Sequence, residues 1–420
     1  MELFYILLVL LVLTRAFGAL AVRVGQPELV GQLISGIVLG AVVAQFSGRL
    51  PVLSTLTDDE VFVALTELGV FFLMLLGGVE MHPGKLVRAS RRAVFVAAGG
   101  MIVPLAAGVL LGWLVIPASP YRPAQMLFLG TALAITAVPV AVKILLDLGR
   151  LDSRTGQTVV SAAIIDDILS LILLAVLTAI VRRGEAPGLV QLLLLGGKIT
   201  AFLIFVVLAG RYVGPRIGAL LKRSHLEEQE LTALLAGACA FAVAAELLGM
   251  HFVLGAFAAG LFFGRQVVDE SVYRDVKQKV AAITTAFLAP LFFASIGLRL
   301  DVTAMSAVPW FVILLIVIAF FGKLLGAGVV AGVTGLTVRE STAVGFSMSV
   351  RGAVELIIAG IALDAGLFDH PEPRPPVIRH MFSSVVIMAV ATTLLAPIVL
   401  RYLLADRRGD GAGREGADQE

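Results

Sequence analysis

Long apolar runs, separated by short charged or Pro- and Gly-rich breaks, extend along the sequence to about residue 404. A helix needs roughly 20 apolar residues to cross the hydrocarbon core of a bilayer, and most of the runs have about that length. We therefore predict about 13 transmembrane helices, at residues 3–22, 28–48, 61–79, 93–117, 127–148, 156–181, 189–212, 231–249, 252–265, 280–298, 309–335, 341–365 and 380–404. The ninth run is short and closely follows the eighth, so a count of 12 stays open.

The composition agrees with helices in a membrane. Hydrophobic residues make up 59% of the chain and charged residues 15%, whereas an ordinary soluble domain has roughly 25% charged residues. This balance excludes a soluble enzyme. The runs are continuously apolar, which excludes an outer-membrane barrel with its alternating strands, and a helix satisfies its own backbone hydrogen bonds in lipid. We therefore expect an all-α polytopic membrane protein.

The positions of the basic residues predict an orientation in the membrane. Most of the 32 Lys and Arg residues stand in alternate loops, such as 85–92 and 211–223, and in the C-terminal tail. Because cytoplasmic loops are enriched in Lys and Arg, we expect the N-terminus outside and the C-terminus in the cytoplasm, in the cell (inner) membrane. The basic residues form no continuous patch, so the bilayer is the expected partner and nucleic acid is not.

Two predicted spans at equivalent positions contain helix breakers. Thirteen spans divide into six, a linker and six, and a unit repeated seven spans later enters from the opposite face, which gives an inverted repeat. The fifth span of each half is interrupted, by Thr136-Ala-Val-Pro139 and by Ser347-Met-Ser-Val-Arg-Gly352. Crossed broken helices present free helix ends and unwound carbonyls that solvate an ion. For Pro139 alone, an ordinary kinked helix explains the sequence equally well.

Two adjacent acids in the sixth span are the strongest sign of function. Asp166 and Asp167 stand in the middle of an apolar run, and ionisable residues inside a membrane are expensive and usually functional. Neighbouring residues on a helix point about 100° apart, which disfavours the shared-proton dyad of an intramembrane aspartyl protease. One carboxylate is therefore expected to line a cavity while the other turns to a cationic partner. Lys323 in span 11 is the best candidate for that partner; an ion pair serving stability alone is the weaker alternative.

Five stretches of sequence resemble the sodium/proton exchanger superfamily, and within it the monovalent cation:proton antiporter-2 branch. The resemblance covers residues 5–404 and rests on Gly25-Gln-Pro-Glu-Leu-Val-Gly-Gln-Leu-Ile-Ser-Gly-Ile-Val-Leu-Gly40, Glu67-Leu-Gly-Val-Phe-Phe-Leu-Met-Leu-Leu-Gly-Gly-Val-Glu80, Ala162-Ala-Ile-Ile-Asp-Asp167, Leu254-Gly-Ala-Phe-Ala-Ala-Gly260 and Pro290-Leu-Phe-Phe-Ala-Ser-Ile-Gly297. It implies a secondary antiporter, not an enzyme, that exchanges Na⁺ or Li⁺ for protons in pH homeostasis and needs no cofactor.

The resemblance also implies a domain organisation. Residues 1–92 and 231–308 would form the scaffold of a homodimer, and residues 93–186 and 309–404 a core that carries the ion in an elevator-type motion. Residues 187–230 would be a linker helix with its loop. The polar, Gly-rich residues 405–420 are expected to be a disordered cytoplasmic tail, too short for the nucleotide-sensing domain of glutathione-gated relatives.

The resemblance assigns roles to the intramembrane residues. In members with two adjacent aspartates, the second binds the cation or the proton and the first pairs with a lysine, which implies Asp167 as the transient cation ligand and Asp166 as the partner of Lys323. Independently of the resemblance, we expect Thr136 and the backbone carbonyls at the crossing of the broken helices to help bind the ion.

The sequence departs from the family pattern in span 12. The usual Arg-Gly-Glu reads Arg351-Gly-Ala-Val-Glu355, and a shift of two positions rotates a helical side chain by about 200°. We interpret Arg351 and Glu355 as a structural pair. Together with Pro139 and Ser347, they are our candidates for a structural or gating role. K⁺/H⁺ exchange stays an alternative, as does another class of function, a cation channel or a transporter-like sensor.

Overall fold

The computed structural model describes residues 2–45, 56, 59–80, 91–136, 145, 153–181, 189–213, 216, 228–248, 250–263 and 269–404. Within these ranges every regular element is helical. The helices are α1 (Glu2–Arg23), α2 (Glu28–Gln45), α3 (Glu60–Glu80), α4 (Arg91–Val115), α5 (Arg122–Ala134), α6 (Arg154–Val181), α7 (Leu189–Leu208), α8 (Gln229–Leu247), α9 (Phe252–Phe262), α10 (Glu270–Leu298), α11 (Ala304–Ala307), α12 (Pro309–Val333), α13 (Val338–Met348), α14 (Ala353–Asp364), α15 (Pro376–Arg379) and α16 (Met381–Leu404).

The helices have the length and composition of membrane spans. In the described part of the chain, seven helices are each long and apolar enough to cross a bilayer, namely α1, α3, α4, α8, α10, α12 and α16. Their outward surfaces carry large apolar side chains such as Trp113, Val333 and Tyr402, which water would not solvate well but lipid does. The predicted all-α polytopic fold is confirmed. The count of 13 spans stays a prediction.

The helices pack as two groups. The first helix group contains α1, α2, α3, α8, α9 and α10, and the second contains α4, α5, α6, α12, α13, α14 and α16. Helix α7 contacts α6 of one group and α8 of the other, while α10 and α14 touch directly. The first group is thus built from α1–α3 and α8–α10, and the second from α4–α6, α12–α14 and α16.

Glycines bring helix backbones close together in both groups. A Cβ atom added to Gly36 would lie 2.1 Å from the carbonyl oxygen of Ala294, and one added to Gly78 would lie 2.1 Å from that of Phe257. In the second group, a Cβ on Gly99 would lie 2.6 Å from a backbone carbonyl of α12. Small residues at such contacts let membrane helices approach and gain van der Waals contact, because lipid provides little hydrophobic drive for association.

The predicted helix break in span 12 is present. Helix α13 begins with a capping box, in which the Thr337 side chain accepts from the Glu340 backbone N–H and Glu340 accepts from the Thr337 backbone N–H. It ends at Met348, and α14 begins at Ala353 after Gly352, whose backbone is extended (φ −161°, ψ −153°).

The corresponding helix of the first half also ends inside its span. Helix α5 stops at Ala134, and Ile135 is extended (ψ 147°). Residues 137–144, with the predicted breaker Pro139, lie outside the described residues.

Candidate ion-binding site

The two helix breaks touch each other in the interior of the protein. The Thr136 hydroxyl donates a hydrogen bond to the carbonyl oxygen of Met348, at 2.9 Å, across 212 residues of sequence. Thr136 and Ser347 are both buried. The two interrupted spans therefore meet where backbone N–H and C=O groups lack partners within a helix. At membrane depth, such groups are tolerated only inside the protein or beside a cavity.

Arg351 lies in the break of span 12 and binds the end of α5. Its guanidinium donates to the carbonyl oxygens of Ala132 (2.9 Å) and Leu133 (2.7 Å) and also to that of Ile135. The last carbonyls of a helix have no partner within the helix and carry partial negative charge. The Arg351 guanidinium thus satisfies these carbonyl oxygens. From the sequence, we expected such carbonyls to bind the transported ion instead.

A buried ion pair joins the two halves of the second helix group. Oδ1 of Asp166, on α6, lies 3.6 Å from Nζ of Lys323, on α12, and both side chains are fully buried. In the described part of the structure, the two carboxylate oxygens of Asp166 and the ammonium group of Lys323 have no hydrogen-bond partner. Lys323 directly precedes a π turn at Leu324–Gly328, a helical irregularity that is frequent at functional sites.

Arg351 also pairs with Glu355 across the start of α14. Its Nε lies 3.7 Å from Glu355 Oε2, and both side chains are fully buried. Glu355 occupies the first turn of α14, where the helix dipole favours a negative charge. Thr393 on α16 donates to the Arg351 carbonyl at 3.0 Å. Sequence reasoning missed Thr393, since a threonine in an apolar run carries no signal of its own.

The remaining predicted site residues are only partly described. The backbone of Asp167 belongs to α6, next to Asp166, but its side chain lies outside the described part of the structure. The structure thus brings together Asp166, Lys323, Thr136, Ser347, Arg351 and Glu355 within the second helix group.

A cavity of about 260 Å³ lies between the two helix groups. Its polar lining includes Glu67 of α3, Thr178 of α6, Ser295 of α10 and Asp364 of α14. It is lined by the second and third turns of α3, the first turn of α9 and the last turns of α6, α10 and α14. The starts of α3 and α9 and the ends of α6, α10 and α14 therefore lie towards one face of the protein, which we name the cavity face. Thr178 stands 12 residues beyond Asp166 on the same helix, which corresponds to about 18 Å along its axis.

An ion pair closes one edge of this cavity. The Arg299 guanidinium, directly after α10, binds the Asp364 carboxylate at the last residue of α14. Both residues line the cavity. Sequence reasoning treated Arg299 as an ordinary loop charge and did not consider Asp364, because nothing in the chain order connects two helix ends 65 residues apart.

A buried ion pair beside helices that end inside their spans is the kind of site that secondary transporters with broken helices contain. The sequence model of the sodium/hydrogen exchanger transmembrane family matches residues 6–406, and the chain belongs to this family.

Individual relatives agree with this assignment. The Na⁺/H⁺-K⁺ antiporter GerN of Bacillus cereus is 33% identical over 402 residues, covering 96% of each protein. The Na⁺/H⁺ antiporter of Enterococcus hirae is 29% identical, covering 96% of this chain and 98% of that protein. The structure of the sodium proton antiporter MjNhaP1 from Methanocaldococcus jannaschii superposes with a TM-score of 0.70 at 17% identity, covering 97% of this chain and 100% of that one, so the fold is shared.

Proposed function

We propose that this protein exchanges a monovalent cation, Na⁺ in the first place and Li⁺ as a second substrate, for protons across the membrane. The observation that carries the proposal is the buried Asp166–Lys323 pair beside the contact between the two helix breaks. Such a pair is a poor stabiliser, because desolvation of both charges offsets their attraction. A role in moving charge explains why it is buried. The names of the relatives, which describe cation/proton antiporters, support the same function.

Competition for one carboxylate couples the two substrates. Asp167, assisted by Thr136, binds either a dehydrated cation or a proton, and the core moves only when one of them is bound. Arg351 already occupies the carbonyls at the end of α5, so carboxylate and hydroxyl oxygens are the main ligands left for the cation in this proposal. Hard monovalent cations prefer oxygen ligands of this kind.

The Asp166–Lys323 pair sets the number of protons per cycle. If the cation draws Asp166 away from Lys323, the lysine loses its stabilising partner in a desolvated site and releases a second proton. Two protons exchanged for one cation make the cycle electrogenic, worth about 2.3 kcal/mol for the net charge at 100 mV.

The two helix groups supply the moving parts. In this proposal the first group, from residues 1–92 and 231–308, is the scaffold of a homodimer, and the second, from residues 93–186 and 309–404, is the core that moves. Residues 187–230, which include α7, link them. Arg351 binds α5 from the break between α13 and α14, so the two broken spans move as one unit. The N-terminus and the cavity face lie outside, and the tail, residues 405–420, is in the cytoplasm.

The relative GerN favours K⁺ as a second candidate cargo, because its name includes this ion. Proton movement in everted vesicles tests the proposal, with Na⁺, Li⁺ and K⁺ added in turn to vesicles containing the wild type or Asp167→Asn. We expect cation-induced proton movement in the wild type and none in Asp167→Asn. Wild-type vesicles without any cation-induced proton movement would refute antiport. Flux that persists in Asp167→Asn without proton coupling would indicate a channel, and intact signalling in that variant a sensor.

A further inference from the structure

The ion pair between Arg299 and Asp364 joins the two helix groups at the cavity face. Arg299 follows the last residue of α10, in the first group, and Asp364 is the last residue of α14, in the second. The Arg299 side chain is 20% exposed, whereas the Asp364 side chain is 63% exposed. The pair thus stands at the edge of the cavity, with one partner largely enclosed and the other near solvent.

The segment after α10 is held to the second group at two further points. The Asp301 backbone N–H donates to the Ser383 hydroxyl at 2.9 Å, and Asp301 Oδ2 lies 3.2 Å from Nδ1 of His380. These contacts hold the segment but lie beyond the end of α10. Arg299 is the residue that ties the helix end itself to α14.

A slide of one group along the other by a helical turn would separate the two members of this pair. The groups touch directly through α10 and α14, and both Arg299 and Asp364 line the space between them. Sliding one helix along another by a single turn displaces it by about 5.4 Å, more than the roughly 4 Å over which an ion pair persists. The pair is therefore specific to the state seen in the structure.

We propose that Arg299 and Asp364 form a latch between scaffold and core, which holds this state and opens in every transport cycle. This inference rests on the elevator motion in the proposed function. Because the pair is partly exposed, its effect on the balance of states is modest, about two- to fivefold.

Cross-linking tests whether the latch must open. Cys239 is the single cysteine of the chain, so Cys239→Ser provides a background for Arg299→Cys with Asp364→Cys. A short bifunctional methanethiosulfonate suits the pair, because the arginine and aspartate side chains together exceed the Cα spacing of a disulfide. We expect cross-linking to stop cation/proton exchange in proteoliposomes and reduction to restore it.

A second ion pair in the loop after α14 provides the matched control. Asp369 and Arg374 lie 3.1 Å apart, both partly exposed, and belong to one short loop. Cross-linking Asp369→Cys with Arg374→Cys is expected to leave exchange unchanged. Unimpaired exchange by the cross-linked 299–364 protein would overturn the latch. Absence of exchange in the Cys239→Ser background would instead count against the proposed antiport.

A double-mutant cycle supplies an independent readout. Arg299→Gln and Asp364→Asn are each expected to change the exchange rate about two- to fivefold, in the same direction. The double variant should change it no more than either single variant, since all three lose the same interaction. Additive effects would show that the two residues act separately and would also overturn the latch.

Discussion

The guanidinium of Arg351 leads to the most specific prediction about stability. We consider Arg351→Met, which keeps an unbranched side chain of similar length but removes every donor. The carbonyl oxygens of Ala132, Leu133 and Ile135 then lose their partner, and buried Glu355 loses its counter-charge.

The size of the loss follows from these contacts. A buried acceptor left without its donor costs about 1–3 kcal/mol, so three carbonyls together cost roughly 3–9 kcal/mol if nothing relaxes. Leaving one member of a buried ion pair unpaired costs about 3–5 kcal/mol. Because these terms share one side chain and are not additive, we expect a loss of at least about 3 kcal/mol.

Thermal unfolding of the purified protein in detergent measures this loss. Arg374→Met is the matched control, because it breaks an ion pair of the same chemistry that is partly exposed and worth only about 0.2–1 kcal/mol. We expect Tm to fall by several degrees for Arg351→Met and to stay nearly constant for Arg374→Met.

A further variant separates the two causes. Adding Glu355→Gln to Arg351→Met removes the unpaired charge and should recover part of the lost stability, while the orphaned carbonyls keep Tm below that of the wild type. Equal Tm values for Arg351→Met and Arg374→Met would show that the three carbonyls do not depend on Arg351, and the interpretation of the site would be wrong.

Three further predictions concern transport, packing and pH. Asp166→Asn should keep exchange measurable but remove its voltage dependence in proteoliposomes; unchanged voltage sensitivity would contradict the second proton. Gly78→Ala should lower Tm markedly, because the added Cβ would lie 2.1 Å from the carbonyl oxygen of Phe257. Gly77→Ala is the control and should leave Tm unchanged, because its Cβ would have nothing within 4 Å. Similar Tm values for the two variants would count against this packing. Burial raises the pKa of Asp301, but the hydrogen bonds from Thr303 and the nearby His380 together lower it further and hold the pKa below the ordinary 3.8. The ionised carboxylate of Asp301 therefore contributes its full stability above pH 3.8, and this contribution is lost as the pH falls through the lowered pKa. Asp301→Asn should lower Tm at pH 7 and match the wild type in strong acid. A Tm difference that is the same at both pH values would contradict this pH dependence.

Local signals explain which parts of the fold and site were predictable. The helical membrane class follows from apolar runs about as long as a bilayer is thick. The break after Ser347 follows from a polar, Gly-containing stretch inside such a run, and the structure confirms it. Asp166 and Lys323 stood out as ionisable groups too deep to snorkel, and the structure places them 3.6 Å apart.

The other parts of the site depend on contacts that leave no trace in the local sequence. The bond from Arg351 to Ala132 spans 219 residues, and that from Thr136 to Met348 spans 212. The acceptors in both are backbone carbonyls, which every residue has, so residue type cannot indicate which carbonyl is used. The predicted breaker in span 5, Pro139, lies outside the described residues and stays a prediction.

The sequence by itself therefore determined that this protein lies in a lipid bilayer, and it identified the ionisable residues whose burial there is costly enough to indicate a function. Both follow from transfer free energies, which are properties of single residues and short runs. Only the tertiary structure decided which charge meets which partner, that Arg351 closes the end of α5, and that Arg299 and Asp364 bridge the two helix groups. Those choices depend on how helices distant in the chain pack against each other, and packing geometry is a property of the whole fold.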